Sequence, residues 1–131
     1  MATILLVEDN PANMKLAAFV LGQGGHDVLC ATSADEALVL VQERQPALVL
    51  MDVQLPGMDG LTATRRLKDD PSTRAIPVIA LTAFAMRGDA ERIREAGCDG
   101  YIAKPIRYQQ LLGEVARALE NNNENNPGGR S

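Results

Sequence analysis

The sequence predicts an α/β fold: a five-stranded parallel sheet with helices on both of its faces. Five short apolar runs recur along the chain, at residues 4–7, 28–31, 48–51, 78–81 and 101–103. They are continuous rather than alternating, which is typical of strands covered on both faces. Segments with helical periodicity separate them. This strict alternation indicates a doubly wound sheet with right-handed crossover connections.

Apolar stripes predict the helices between these strands. The spacing i, i+3, i+4, i+7 occurs three times, at Met14, Ala17, Ala18, Leu21; at Ala34, Ala37, Leu38, Val41; and at Tyr108, Leu111, Leu112, Val115. Two weaker stripes are Leu61, Thr64, Leu67 and Met86, Ala90, Ile93, Gly97. Helix start and stop signals fit these segments. The starts are Asn10-Pro11 and a capping box from Ser33 to Glu36, and the stops are Gly24-Gly25 after the first helix and Pro46 and Pro71 after the next two.

The composition favours one domain with an ordinary core. The chain has 131 residues, of which 46% are hydrophobic, and these are enough for a single packed unit. We expect this domain to span residues 1–120. Residues 121–131 are rich in asparagine and lack apolar side chains, so we expect a disordered tail there. The start just before the first strand and the lack of an output domain favour a stand-alone protein.

Charge and targeting signals narrow the function classes. The formal net charge is −4 and no run of Lys or Arg occurs, which argues against direct nucleic-acid binding. No apolar run approaches the length of a membrane span, and no secretory leader is present. Cys30 and Cys98 are predicted to be buried thiols, and His26 a surface loop residue. We therefore expect a soluble, reduced, cytoplasmic protein.

Five polar residues follow the ends of four predicted strands: Glu8, Asp9, Asp52, Thr82 and Lys104. In open α/β sheets, ligands bind at the carboxyl edge of the strands. Three carboxylates brought together there repel one another unless a hard cation such as Mg²⁺ relieves them. A lysine and a threonine hydroxyl suit phosphate oxygens. The set predicts a phosphoryl-transfer site in which a carboxylate is the nucleophile.

The same positions carry a family resemblance. The motifs are Glu8-Asp9-Asn10, Leu50-Met51-Asp52, Leu55 to Gly60, Leu81-Thr82-Ala83 and Lys104-Pro105. Together they resemble the motif set of bacterial response-regulator receiver domains, over roughly residues 3–120. The segments 13–16, 51–56 and 82–94 are similar to the DivK type of single-domain regulator. Receiver modules of hybrid histidine kinases also share them, so an excised module stays an alternative.

The resemblance implies the fold detail and the residue roles. Strand order is 2-1-3-4-5, as in flavodoxin-like and CheY-like proteins. Asp52 is the phosphoacceptor, and Asp9, Asp52 and the backbone carbonyl of Gln54 bind Mg²⁺, which Mn²⁺ can replace. Glu8 acts near the metal through water. Thr82 and Lys104 bind the phosphoryl oxygens, and the Lys104-Pro105 bond is cis.

The resemblance also implies partners and a switch. The phosphoryl group comes from a histidine kinase or a histidine phosphotransfer protein. Tyr101 turns inward when Thr82 is drawn to the phosphoryl group, which changes the face formed by the fourth helix, fifth strand and fifth helix. An unidentified downstream protein then binds that face. Gln54 and Phe84 flank the site and lead us to expect slow self-dephosphorylation, with Phe84 shading the attacking water.

Two rival functions fit the sequence less well. An aspartyl-phosphate phosphatase typically needs a second carboxylate two positions after the nucleophile, where this chain has Gln54. A flavodoxin-like cofactor carrier needs a phosphate-cradling loop after the first strand, where this chain has Glu8-Asp9-Asn10. We therefore expect a phosphoacceptor that catalyses its own phosphorylation and dephosphorylation, and not a turnover enzyme.

Overall fold

The computed structural model describes residues 2–83 and 87–124, with the backbone alone at residues 87, 88 and 121–124. Within these residues five strands alternate with five helices. The strands are β1 (Thr3–Val7), β2 (Asp27–Ala31), β3 (Leu48–Asp52), β4 (Val78–Thr82) and β5 (Gly100–Ala103). The helices are α1 (Pro11–Gln23), α2 (Ala34–Arg44), α3 (Gly60–Asp69), α4 (Arg87–Glu95) and α5 (Tyr108–Glu124).

The strands form one parallel sheet in the order β2-β1-β3-β4-β5, which confirms the expected topology. Residues along each central strand alternate between two apolar cores. On β1, Ile4 and Leu6 belong to the core under α1 and α5, while Leu5 and Val7 belong to the core under α2 and α3. Helix α4 packs on the same side as α3, through Ile93. Full burial of each such aliphatic side chain stabilises the fold by about 1.5–3 kcal/mol.

The helix starts follow the sequence signals, with one difference. The Asn10 side chain accepts a hydrogen bond from the Asn13 backbone N–H at 3.0 Å, and the Ser33 hydroxyl accepts one from the Glu36 N–H at 3.2 Å. In a full capping box the Glu36 carboxylate would return to the Ser33 N–H. It instead accepts the Thr32 N–H at 2.7 Å. The carboxylate thus caps one residue further upstream.

The prediction that both cysteines are buried is wrong. Cys30 is exposed and Cys98 is half-buried. Strand β2 lies at the edge of the sheet, so its outer residues have neighbours on fewer sides; Ala31 alone in this strand is fully buried. Cys98 packs partly under α3, and burial raises the pKa of its thiol to about 11.

Two further expectations need correction. His26 is half-buried rather than on the surface, and its Nδ1 is buried with no hydrogen-bond partner among the described residues. Helix α5 continues to Glu124, so the first four residues of the predicted disordered tail are helical. Met86, which the sequence placed on the α4 stripe, lies outside the described residues. Across the described part of the chain, no helix combines the length and apolar character that a membrane crossing requires.

Candidate functional site

The strand register brings the predicted site residues to one edge of the sheet. Val7 on β1 pairs with Met51 on β3, so the next residues, Glu8 and Asp52, reach the same level. On the other side of β3, Asp52 pairs with Leu81. Parallel strands end at a common edge, and side chains that follow them converge. The carboxylates therefore meet although they lie far apart in sequence.

Glu8, Asp9 and Asp52 form a three-carboxylate cluster. One oxygen from each lies within 4.8 Å of the others. Glu8 and Asp52 are each only 2% exposed, whereas Asp9 is exposed. Two buried carboxylates beside an open one make a site that can take a hard cation from solvent while part of its water shell remains.

Lys104 supplies the positive charge of the site. Its Nζ donates to Asp52 Oδ2 at 2.9 Å and to Glu8 Oε1 at 3.2 Å. Burial alone would lower the pKa of Lys104, but the hydrogen bond and charge of Asp52, with those of Glu8, hold it above its ordinary value. The side chain stays protonated, with one fifth of it exposed at the mouth of the site. An ammonium in this position can donate hydrogen bonds to the Asp52 oxygens or to a group attached to them.

Glu8 presents a buried carboxylate oxygen to the cluster. Burial raises the pKa of Glu8 to about 7, and the neighbouring Asp52 adds to the rise while Lys104 opposes it. Its second oxygen, Oε2, is buried and meets no hydrogen-bond donor among the described residues. Buried polar atoms are normally satisfied. An unsatisfied carboxylate oxygen beside two more carboxylates fits a Mg²⁺ ion or a water molecule bound to it.

A closed loop after β3 fixes the other oxygen of Asp52. The backbone N–H of Gln54 donates to Asp52 Oδ1 at 3.0 Å. The chain then returns, so that the Gly60 N–H donates to the Val53 carbonyl at 2.9 Å. Asp59 caps the following helix by accepting the Thr62 N–H at 2.9 Å. The loop holds the Gln54 backbone beside the cluster, while the Gln54 side chain is exposed.

Thr82 and Tyr101 occupy the strands at the far side of the site. Thr82 is 2% exposed at the end of β4, and its carbonyl accepts the Lys104 N–H at 2.7 Å. The Lys104-Pro105 peptide bond is cis, as the resemblance implies. Tyr101 is 39% exposed on β5.

Asp59 and Gly60 lie in the motif from Leu55 to Gly60, but the motif does not indicate what either residue does. The aspartate three residues before a threonine, at the start of an amphipathic segment, is a capping signal that could have been used. No comparable signal exists for Gly60, because what distinguishes this residue is its close packing against the backbone of Asp52 on β3, and the sequence does not record that contact. Phe84, which we predict to hinder access of the attacking water, lies outside the described residues.

Comparison with known families and sequences agrees with this geometry. Residues 4–116 match the model of the response regulator receiver domain. The chain is 52% identical over 117 residues to the polar-differentiation response regulator DivK of Brucella ovis, covering 89% of this chain and 95% of that one. The DivK of Brucella anthropi is 51% identical with the same coverage.

Solved structures share the fold. The CheY-like receiver domain protein of Methanospirillum hungatei superposes with a TM-score of 0.88 at 26% identity, covering 95% of this chain and 98% of that one. The receiver domain of a Pseudomonas aeruginosa sensor histidine kinase superposes with a TM-score of 0.85 at 35% identity, covering 91% and 98%. In that structure a magnesium ion is coordinated in the active site cleft.

Proposed function

This chain belongs to the response regulator receiver family, and we propose that its two-component signalling role runs through a phosphoryl group accepted on Asp52. One observation carries the residue assignment: the Lys104 ammonium lies 2.9 Å from an oxygen of Asp52, at the base of a three-carboxylate cluster. The side chains to which we assign the roles of nucleophile, metal ligand and phosphate-binding charge are therefore neighbours. Because a histidine kinase draws its phosphoryl group from ATP, we place the protein in the cytoplasm.

The chemistry assigned to Asp52 is a displacement at phosphorus. A carboxylate oxygen of Asp52 forms the new P–O bond as the P–N bond to the donor histidine breaks, and the donor imidazole takes the electron pair. The residues that would hold Mg²⁺ are Glu8, Asp9, Asp52 and the backbone carbonyl of Gln54. When bound there, Mg²⁺, or Mn²⁺ in its place, would neutralise charge on the phosphoryl oxygens. Lys104 neutralises the oxygen on its own side.

Gln54 argues for a phosphoacceptor over a phosphatase. A side-chain amide cannot give or take a proton at ordinary pH, so it cannot serve as the general acid and base that rapid hydrolysis of the intermediate needs. The aspartyl phosphate should therefore persist and act as a signal. We expect self-dephosphorylation on the slow side for this chemistry.

The signal is proposed to travel through Thr82 and Tyr101. Thr82 is buried beside the acceptor, and its hydroxyl would donate to a phosphoryl oxygen on Asp52. Movement of Thr82 opens space into which the exposed Tyr101 ring can turn, changing the surface of α4, β5 and α5. Phosphorylation then acts by favouring one of two pre-existing states. A downstream protein that prefers the phosphorylated surface supplies the output.

An apolar patch on α1 and at the start of α5 offers a place for the phosphodonor. Leu16 on α1 is 47% exposed and Tyr108 on α5 is 45% exposed. Both line a cavity of about 560 Å³ whose wall includes Lys104. Phe19, 62% exposed, is three residues beyond Leu16 and so adjacent on the helix surface. Exposed apolar side chains beside the acceptor suit a partner that must bring a histidine to Asp52.

We expect Phe19→Asp to slow phosphotransfer from the donor protein by about fivefold or more, since truncating an aromatic residue at the centre of an interface can cost over 1 kcal/mol. Phosphorylation by acetyl phosphate should be unchanged, because that molecule needs no docking surface. The donor is found by screening the histidine kinases and phosphotransfer proteins of the source organism. Val39→Asp is the control, since Val39 is 55% exposed on α2, across the sheet. Equal slowing by both variants would contradict the patch.

The acceptor assignment is tested by intact-mass spectrometry after incubation with acetyl phosphate. We expect a gain of about 80 Da, one phosphoryl group, that requires both Mg²⁺ and Asp52. The gain should vanish in Asp52→Asn and after chelation of the metal. A full gain in Asp52→Asn would show that another residue is the acceptor. No gain in the wild type, despite Mg²⁺ binding, would contradict the proposed chemistry with this donor.

A further inference from the structure

Helix α3 begins directly against the backbone of the proposed acceptor. A Cβ atom at Gly60 would overlap the carbonyl oxygen of Asp52, lie 2.9 Å from its carbonyl carbon and lie 3.0 Å from Met51 Cγ. Gly60 is buried, and its carbonyl accepts the Thr64 hydroxyl at 2.8 Å. The helix start is therefore in backbone contact with the end of β3.

This contact differs from the setting of the other helical glycines for which space can be compared. A Cβ at Gly22 in α1 or at Gly113 in α5 would meet no atom within 4 Å. At Gly60 the obstacle is main chain, which cannot rotate away as a side chain can. Any side chain there must push α3 off the sheet or displace the end of β3.

Displacement at this point reaches both parts of the candidate metal site. Asp52 itself is the residue overlapped, and its carboxylate is set by contacts of 2.9 Å to Lys104 and 3.0 Å to the Gln54 N–H. Gln54 belongs to the loop that Gly60 closes through its bond to Val53. Glu8 and Asp9 follow β1 and would stay in place. The cluster would lose its mutual geometry.

We propose that Gly60 is a positioning residue for the Mg²⁺ and phosphoacceptor site. Its lack of a side chain lets α3 close the β3–α3 loop at the distance that holds Asp52 and Gln54 against Glu8 and Asp9. The inference rests on the proposed function, since it names the device that fixes the same carboxylates. It assigns the residue an effect on cation binding that a purely structural glycine would not have.

The test measures the Mg²⁺ dissociation constant of the full chain by NMR titration, with phosphorylation by acetyl phosphate as a second readout. In Gly60→Ala we expect the dissociation constant to rise about 10- to 100-fold, the usual effect of disturbing groups that orient metal ligands. The phosphorylation rate at fixed, subsaturating Mg²⁺ should fall with it. Gly22→Ala and Gly113→Ala should match the wild type in both.

Urea unfolding of the same proteins separates positioning from stability. If Gly60→Ala is less stable but its folded form binds Mg²⁺ as the wild type does, the inference is overturned. If Gly60→Ala does not fold, Thr64→Val decides instead. That variant keeps the shape but removes the hydroxyl that holds the Gly60 carbonyl, so it should weaken Mg²⁺ binding in the same direction. Unchanged binding in Thr64→Val would then overturn the inference. If even the wild type binds Mg²⁺ but takes no phosphoryl group, the proposed function fails while the Mg²⁺ comparison still decides the role of Gly60.

Discussion

Replacing Lys104 with methionine should lower the rate of phosphorylation by about 100- to 1,000-fold, the usual effect of removing one group that stabilises charge in a transition state. The Lys104 ammonium forms ion pairs with Asp52 and Glu8. Among the described side chains, it is the positively charged group that pairs with these two carboxylates. Mg²⁺ binding should survive or tighten, because the ammonium occupies oxygens of the same carboxylates. The rate is measured by mass spectrometry with acetyl phosphate, at Mg²⁺ concentrations that saturate each protein.

Lys68→Met is the matched control. Lys68 is also a half-buried lysine paired with a carboxylate, at 3.0 Å from Asp99, and it donates to the carbonyls of Arg74 and Ile76. Val78, at the start of β4, donates to the same Asp99 oxygen, so this network lies at the opposite edge of the sheet. Its loss should cost stability and leave phosphorylation unchanged. A Lys104→Met variant as active as Lys68→Met would refute the role of Lys104.

The sequence was most informative where local patterns and fold agree. The five strands and their helices follow from continuous apolar runs and 3.6-residue stripes, because burial on both faces demands those patterns. The polar residues of the site could be predicted for the same reason: they follow strands that all end at one edge. Strand order came from the family resemblance, since periodicity carries no information about which strands are neighbours.

Features that depend on tertiary contacts could not be predicted from the sequence. Cys30 looks apolar in context, but β2 lies at the sheet edge and the thiol is exposed. Gly60 reads as an ordinary turn residue, and only the folded chain shows α3 against the Asp52 carbonyl. The Glu36 carboxylate accepts a hydrogen bond from the Thr32 N–H and not from the Ser33 N–H of a full capping box. Each depends on where a neighbouring segment lies, which residue spacing does not record.

Without Mg²⁺, the protein should become less stable as the pH rises from about 4.5 to about 7. Burial raises the pKa of Glu8 from 4.5 to about 7, so between these values the folded chain keeps a proton that the unfolded chain has released. The unfolding free energy must therefore fall with pH across that window. Below it Glu8 is protonated in both states, and above it Glu8 is ionised in both, so its contribution is then constant.

The Glu8 contribution to this loss should be about 3 kcal/mol, because each unit of pKa difference corresponds to about 1.4 kcal/mol. Urea unfolding in a chelator at several pH values measures it. Glu8→Gln isolates the effect, since glutamine does not titrate while every other ionisable group remains; the variant should lack that part of the slope. Saturating Mg²⁺ should flatten the wild-type curve, because a bound cation favours the ionised carboxylate. If the unfolding free energies of the wild type and Glu8→Gln fall equally with pH in chelator, the raised pKa of Glu8 is not the cause of the loss of stability.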